Sequence, residues 1–94
     1  LGTGLLPPRG QQAGSRYVLS GARALRPQAV RDDGQKTYLT WASNQALPAV
    51  YLVGADGQES LADGWLREGV MVIDRVAPYL LFRIDAEVAR AERK

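Results

Sequence analysis

The sequence contains no cysteine and no histidine. Together those absences remove zinc fingers, Cys/His metal cages, Cys nucleophiles, Ser-His-Asp triads and any disulfide framework. A long hydrophobic run is missing too. Against the ~20 apolar residues that a spanning helix needs, the longest candidate, 70–84, is interrupted by Asp74, Arg75, Pro78 and Arg83. An initiator Met and a signal peptide are also absent, which suggests a mature product or an excised domain. No block of one charge sign stands out. Residues 15–85 carry eight Lys/Arg and eight Asp/Glu, so the net +2 sits in the ends, at Arg9 and in the tail from Glu87 to Lys94. A protein that binds phosphates wants several cations on one surface, so no nucleic acid is expected as a partner.

The remaining routes to chemistry are thin. Asp32-Asp33-Gly34 has the look of a cation loop, but calcium loops need alternating oxygen ligands and a distal Glu. The stretch reads as a turn. Paired-carboxylate catalysis needs two acids in one cleft, whereas the core acids fall mostly in turn positions. Lys36 has Ser15, Ser20, Ser43 and Ser60 to choose from, yet none lies in a nucleophile motif. No enzyme activity, cofactor or metal is expected.

What is present is the texture of a β protein. With 94 residues the chain makes one domain. Its 46% apolar and 23% charged residues are those of a chain that folds. Residues 1–14 hold four glycines and two prolines with a single charge, and read as a flexible linker. From 15 to 94 the spacing predicts an all-β unit, with strands at 16–20, 29–31, 36–41, 49–54, 59–62, 70–74 and 79–84. The β-branched and aromatic residues collect there. Asp33-Gly34, Asp56-Gly57 and Asp63-Gly64 are read as turns, with Asp bonding its own backbone and Gly taking positive φ. Pro27, Pro48 and Pro78 each stand just before a strand, where a missing N–H does no harm. The tail, 86–94, fits a short helix or a last strand, its charge spacing leaning helical. Many short strands at this spacing make a two-sheet antiparallel sandwich or a small barrel.

Tyr38 and Trp41 alternate to opposite faces of one strand, while 49–53 and 79–84 are apolar on both faces. A sandwich's outer face is largely polar, so this surplus apolar surface calls for a cover. One alternative remains open, a single-strand nucleic-acid or glycan-binding barrel using Tyr38, Tyr51, Trp41 or Trp65 as stacking surfaces.

The blocks Asp32-Asp33-Gly34-Gln35-Lys36-Thr37-Tyr38-Leu39, Leu47-Pro48-Ala49-Val50-Tyr51, Asp56-Gly57 and Val72-Ile73-Asp74-Arg75-Val76 follow one another in order, preceded by Tyr17, Gly21 and Pro27. This succession resembles the C-terminal domain of the TrbG/CagX family, the VirB "nine" subunit of type IV secretion and conjugation machines. Arg31 departs from it, standing where the family usually has an aromatic residue. The resemblance implies a periplasmic β-sandwich at the bacterial outer membrane, within the core complex of the secretion channel. It also implies three partners: a small outer-membrane lipoprotein of the VirB "seven" type, a VirB "ten" type scaffold subunit, and other copies of the chain in a ring. Because it follows the linker, the first strand is the natural free edge for strand addition, so the partner-binding residues are expected to be Arg16, Tyr17, Val18, Leu19 and Ser20. Replacing Val18 by Pro removes a backbone donor, which weakens an added strand where that donor faces the partner. Asp33, Gly34, Asp56 and Gly57 are expected to serve turns.

Overall fold

The computed structural model describes residues 16–94. The linker expected over 1–14 lies outside the described residues. Nine strands follow in chain order: β1 (Tyr17–Gly21), β2 (Ala29–Asp32), β3 (Thr37–Thr40), β4 (Ala49–Val53), β5 (Glu59–Leu61), β6 (Gly64–Arg67), β7 (Val70–Ile73), β8 (Tyr79–Ile84) and β9 (Glu87–Arg93), with one 3₁₀ turn at Arg23–Leu25. Among the described residues they form a five-stranded sheet, β1-β9-β8-β4-β5, and a four-stranded sheet, β2-β3-β7-β6. Every pairing is antiparallel. The architecture is the two-sheet sandwich, not the closed barrel.

Alternation places the core. Leu39 and Ile73 from one sheet, with Val50, Leu52, Leu80, Phe82, Ala89 and Ala91 from the other, point inward and are buried. Trp41 closes the seam by meeting Phe82 edge to face, with ring centroids 5.7 Å apart. Pro27, Pro48 and Pro78 all precede strands, and no ladder bond is lost to them.

Two expectations are corrected. The tail does not lean to helix, because Glu87–Arg93 is the longest strand and lies between β1 and β8. Asp85, at φ +54°, turns the chain straight back from β8, and the strand's inward side is carried by the two small residues Ala89 and Ala91. Asp63-Gly64 is not a turn either. Gly64 begins β6, and a Cβ there would come within 2.5 Å of the Val72 carbonyl oxygen, so the residue is selected by close packing against β7. The turn of this hairpin is Glu68-Gly69, both with positive φ, 52° and 81°.

Candidate functional site

β1 is the outermost strand of its sheet and bonds only to β9 among the described residues. The ladder's parity follows from the bonds at its ends. Ala22 N–H donates to the Val88 carbonyl at 3.0 Å, and Lys94 N–H donates to the Arg16 carbonyl at 2.7 Å. Even-numbered residues of β1 therefore turn their N–H and C=O groups toward β9, and Tyr17 and Leu19 turn theirs away from it. Side chains alternate on the perpendicular axis. Tyr17 and Leu19 pack against the core, while Val18 is half exposed on the outer face beside Ser20. Of the five residues expected to bind a partner, Tyr17 and Leu19 supply outward backbone and Val18 and Ser20 supply outward side chains. Arg16 closes the ladder with Lys94. Parity also revises the proline test, since the Val18 N–H points into the domain.

A polar latch holds this strand to the other sheet. Asp32, at the end of β2, is only 2% exposed. Its carboxylate accepts from the Tyr17 hydroxyl at 2.7 Å, from Arg93 Nε at 2.9 Å and Nη2 at 3.3 Å, and from Gly34 N–H at 2.9 Å. Burial works to raise the Asp32 pKa, but the donors Arg93, Tyr17 and Gly34 outweigh it and hold the carboxyl below its usual range. Tyr17 is pushed well up, by burial first and then by its bond to Asp32. The Arg93 guanidinium is raised by Asp32. Thus β1 and β9 of one sheet are tied to β2 of the other on the side of the sandwich where the edge lies open. Sequence reading missed this cluster by treating Asp32 as turn chemistry. The available signal was its phase, since Val30 and Asp32 share the inward side of β2.

The turn residues sit in turns. Asp33 Oδ1 accepts from the N–H groups of Gln35 and Lys36 at 2.9 and 2.7 Å, and Gly34 has φ +90°. The same backbone donors hold the Asp33 pKa low. Asp56 Oδ1 accepts from Gln58 N–H at 3.0 Å, and Gly57 has φ +84°. Among the described residues no cluster of three acidic side chains is placed to hold a metal ion, and no helix is long and apolar enough to cross a membrane.

The four candidate stacking residues do not share a surface. Trp41 is buried, 4% exposed, at the sheet–sheet seam. Tyr38 and Trp65 lie on the outer face of the four-stranded sheet, in a cross-strand row through Val72. Tyr51 lies on the outer face of the five-stranded sheet under the Arg83 guanidinium, 4.7 Å from the ring centroid. Arg90 covers Tyr79 in the same way at 4.5 Å. Part of the surplus apolar surface is thus covered by the chain's own arginines, and Arg83 is held in place by Glu59 at 3.0 Å. Val18, Leu61 and Val88 remain exposed on that sheet.

Comparison with known proteins gives a consistent result. A family model described as CagX, conjugal transfer protein, matches residues 8–94. The type IV secretion system protein PtlF of Bordetella pertussis is 41% identical over 78 residues, covering 80% of this chain and 29% of the relative. The type IV secretion system protein virB9 of Bartonella quintana is 33% identical over 72 residues, covering 77% and 25%. Its counterpart in Brucella abortus is 30% identical over 74 residues, covering 76% and 26%. The chain thus spans less than a third of the length of these relatives.

Proposed function

The chain belongs to the CagX family of conjugal transfer proteins, and from that premise we propose that it is the strand-capturing module of a type IV secretion system, a structural part and not an enzyme. The partner is an extended segment of a small outer-membrane lipoprotein, which adds to the five-stranded sheet alongside β1. The single observation that carries this reading is the outward backbone of Tyr17 and Leu19 on an edge strand, flanked by half-exposed Val18. Main-chain bonds to those two residues supply affinity without demanding a particular sequence. Contacts of the added strand with Val18 and Ser20 discriminate among partners. On the same reading the domain works in the periplasm at the outer membrane, with a scaffold subunit of the VirB "ten" type and further copies of itself in a ring as neighbours.

The edge differs from an aggregation site because it is short and held. Tyr17 is anchored through Asp32 and Arg93, so β1 offers a fixed template instead of a fraying terminus. The test uses a small outer-membrane lipoprotein of the VirB "seven" type. Leu19→Pro deletes an outward N–H, and Leu19→Ala removes the same side-chain packing while keeping that donor. Binding is expected to be lost in Leu19→Pro and largely kept in Leu19→Ala. Chemical-shift changes on titration should cluster at 17–21. Changes centred on β5 or β6 would assign the partner to the other side of the sandwich. A steep weakening of oligonucleotide binding with salt would favour the nucleic-acid alternative.

A further inference from the structure

At Gly21 the open edge of β1 is closed off by the chain itself. Gly21 has φ +88°, and a Cβ at this position would lie 2.6 Å from the Val88 carbonyl oxygen and 2.8 Å from Ala89 Cα. Only glycine fits, and the ladder to β9 continues past it through the Ala22 N–H and the Val88 carbonyl. The carbonyl of Gly21 is not left free, because Arg26 Nη2 donates to it at 2.8 Å.

Arg26 is itself held firmly. Its carbonyl accepts from Gln45 Nε2 at 2.6 Å, and the same amide nitrogen donates to the Ala24 carbonyl at 3.1 Å. Gln45 Oε1 in turn accepts from the Ala42 N–H at 3.1 Å. Pro27 follows and fixes its own φ. The loop after β3 therefore staples the segment that delivers the guanidinium to the strand end. The Arg26 Nε–H is buried with no hydrogen-bond partner among the described residues. Leaving a buried donor unpaired is costly, and among the described residues the bond from Nη2 to the Gly21 carbonyl is what holds the guanidinium in place against that cost.

We propose that Arg26 is the register stop of the capture edge. An incoming strand exchanges main-chain bonds with Tyr17 and Leu19, and finds the next acceptor, the Gly21 carbonyl, already occupied. Register in a strand pair is weakly specified when few side chains choose it, and this edge offers only two outward residues. A slip of two residues keeps every side chain on its own face, so alternation alone does not forbid it. The guanidinium opposes it by position: a segment that leaves the sheet beyond Leu19 would, once shifted toward Gly21, run its main chain into the place Arg26 fills at the Gly21 carbonyl. Arg26 is thus a specificity-determining, positioning residue. It limits the partner to a short extended segment that pairs with Tyr17 and Leu19 and then leaves the sheet. This inference rests on strand capture at β1 and adds to it the register and length of the captured segment.

The absence of cysteine makes a clean test possible. Val18 sits opposite an added strand in a non-hydrogen-bonded pair, where the Cα atoms are about 4.5 Å apart, within disulfide range. Val18→Cys is combined with the same lipoprotein, made free of other cysteines and then given a single cysteine at each successive position of its extended segment. With Arg26 present, one position is expected to form the cross-link. Arg26→Met keeps the aliphatic stem and deletes every donor, and should allow cross-links at positions two residues apart. Arg26→Lys, which can still donate to the Gly21 carbonyl, should restore the single position. Urea midpoints within about 0.5 M of one another establish that the variants are folded. If Arg26→Met keeps a single cross-linking position, or if Arg26→Lys is as permissive as Arg26→Met, the register stop is wrong and strand capture stands. If no position cross-links in any background while the lipoprotein still binds, strand capture at β1 falls and the register stop falls with it.

Discussion

Removing one oxygen from Tyr17 tests the latch that makes β1 a fixed edge. In Tyr17→Phe the ring still packs against the core, and only the hydroxyl that donates 2.7 Å to Asp32 is lost. A hydrogen bond to a charged group contributes roughly 1.5–3 kcal/mol. The carboxylate keeps Arg93 and Gly34 as donors, and Tyr17 is only partly buried, so the low end applies, about 1.5 kcal/mol. With a urea m-value of about 1 kcal/mol/M for a chain this small, the midpoint should fall by about 1.5 M with m unchanged. The melting temperature should drop by about 6–12 °C. Asp32→Asn alone should cost more, about 2–3 kcal/mol, because an amide sets a donor against the Arg93 guanidinium and Arg93 loses its buried counter-charge. The double variant decides whether these are one network. Tyr17→Phe with Asp32→Asn should fall short of the sum of the single effects by about 1 kcal/mol. If Tyr17→Phe shifts the midpoint by less than about 0.3 M, or the double variant is additive within about 0.5 kcal/mol, the latch contributes nothing and β1 is held by its ladder alone.

The latch also sets an acid limit. Because the folded Asp32 pKa is depressed, the unfolded chain takes up its proton first, so this stability is present above about pH 4 and is lost as pH falls through the folded value. The gap in urea midpoint between wild type and Asp32→Asn should therefore shrink between pH 7 and pH 3, and an unchanged gap would contradict the assignment. Gly34→Val and Gly57→Val meet no atom within 4 Å but carry positive φ, so each should cost on the order of 1 kcal/mol by denaturation. Gly21→Ala meets the Val88 carbonyl as well and should cost clearly more; equal effects at the three sites would refute the close-packing argument. Glu59→Gln breaks an exposed bridge to Arg83 and should move stability by no more than about 0.5 kcal/mol.

Most of the strands legible in the sequence carry apolar or β-branched residues at alternate inward positions, as in Thr37–Thr40 and Ala49–Val53, whereas β5, exposed throughout, was legible from the Asp56-Gly57 turn before it. The two that were not legible lack that signal for different reasons. In β6 all four residues are exposed, so burial imposes no alternation. In β9 the inward residues are Ala89 and Ala91, and alanine favours helix when read alone. The edge position of β1 was legible as a guess from its place after a glycine-rich segment. Which of its backbone groups face outward was not, because parity is set by β9, some 70 residues further along. Arg26 and Gln45 carried no local pattern, since their partners are main-chain carbonyls brought together only by the fold.

The place of β9 between β1 and β8 governs the order of events during folding. β1 comes first of the nine described strands, yet its only sheet neighbour among the described residues is the last of them. Until Glu87–Arg93 is available to fold, Tyr17–Gly21 has no sheet neighbour among the described residues and no latch to hold it, because Arg93 arrives with the same strand. An apolar, unpaired segment thus waits on a partner some 70 residues further along, the costly long-range closure that slows the folding of β proteins. On the strand-capture proposal, a partner that recognises the finished edge would not dock productively on an incomplete domain. On the same proposal, truncation anywhere before residue 87 would leave β1 without its ladder and latch, so that truncated copies would not bind the partner.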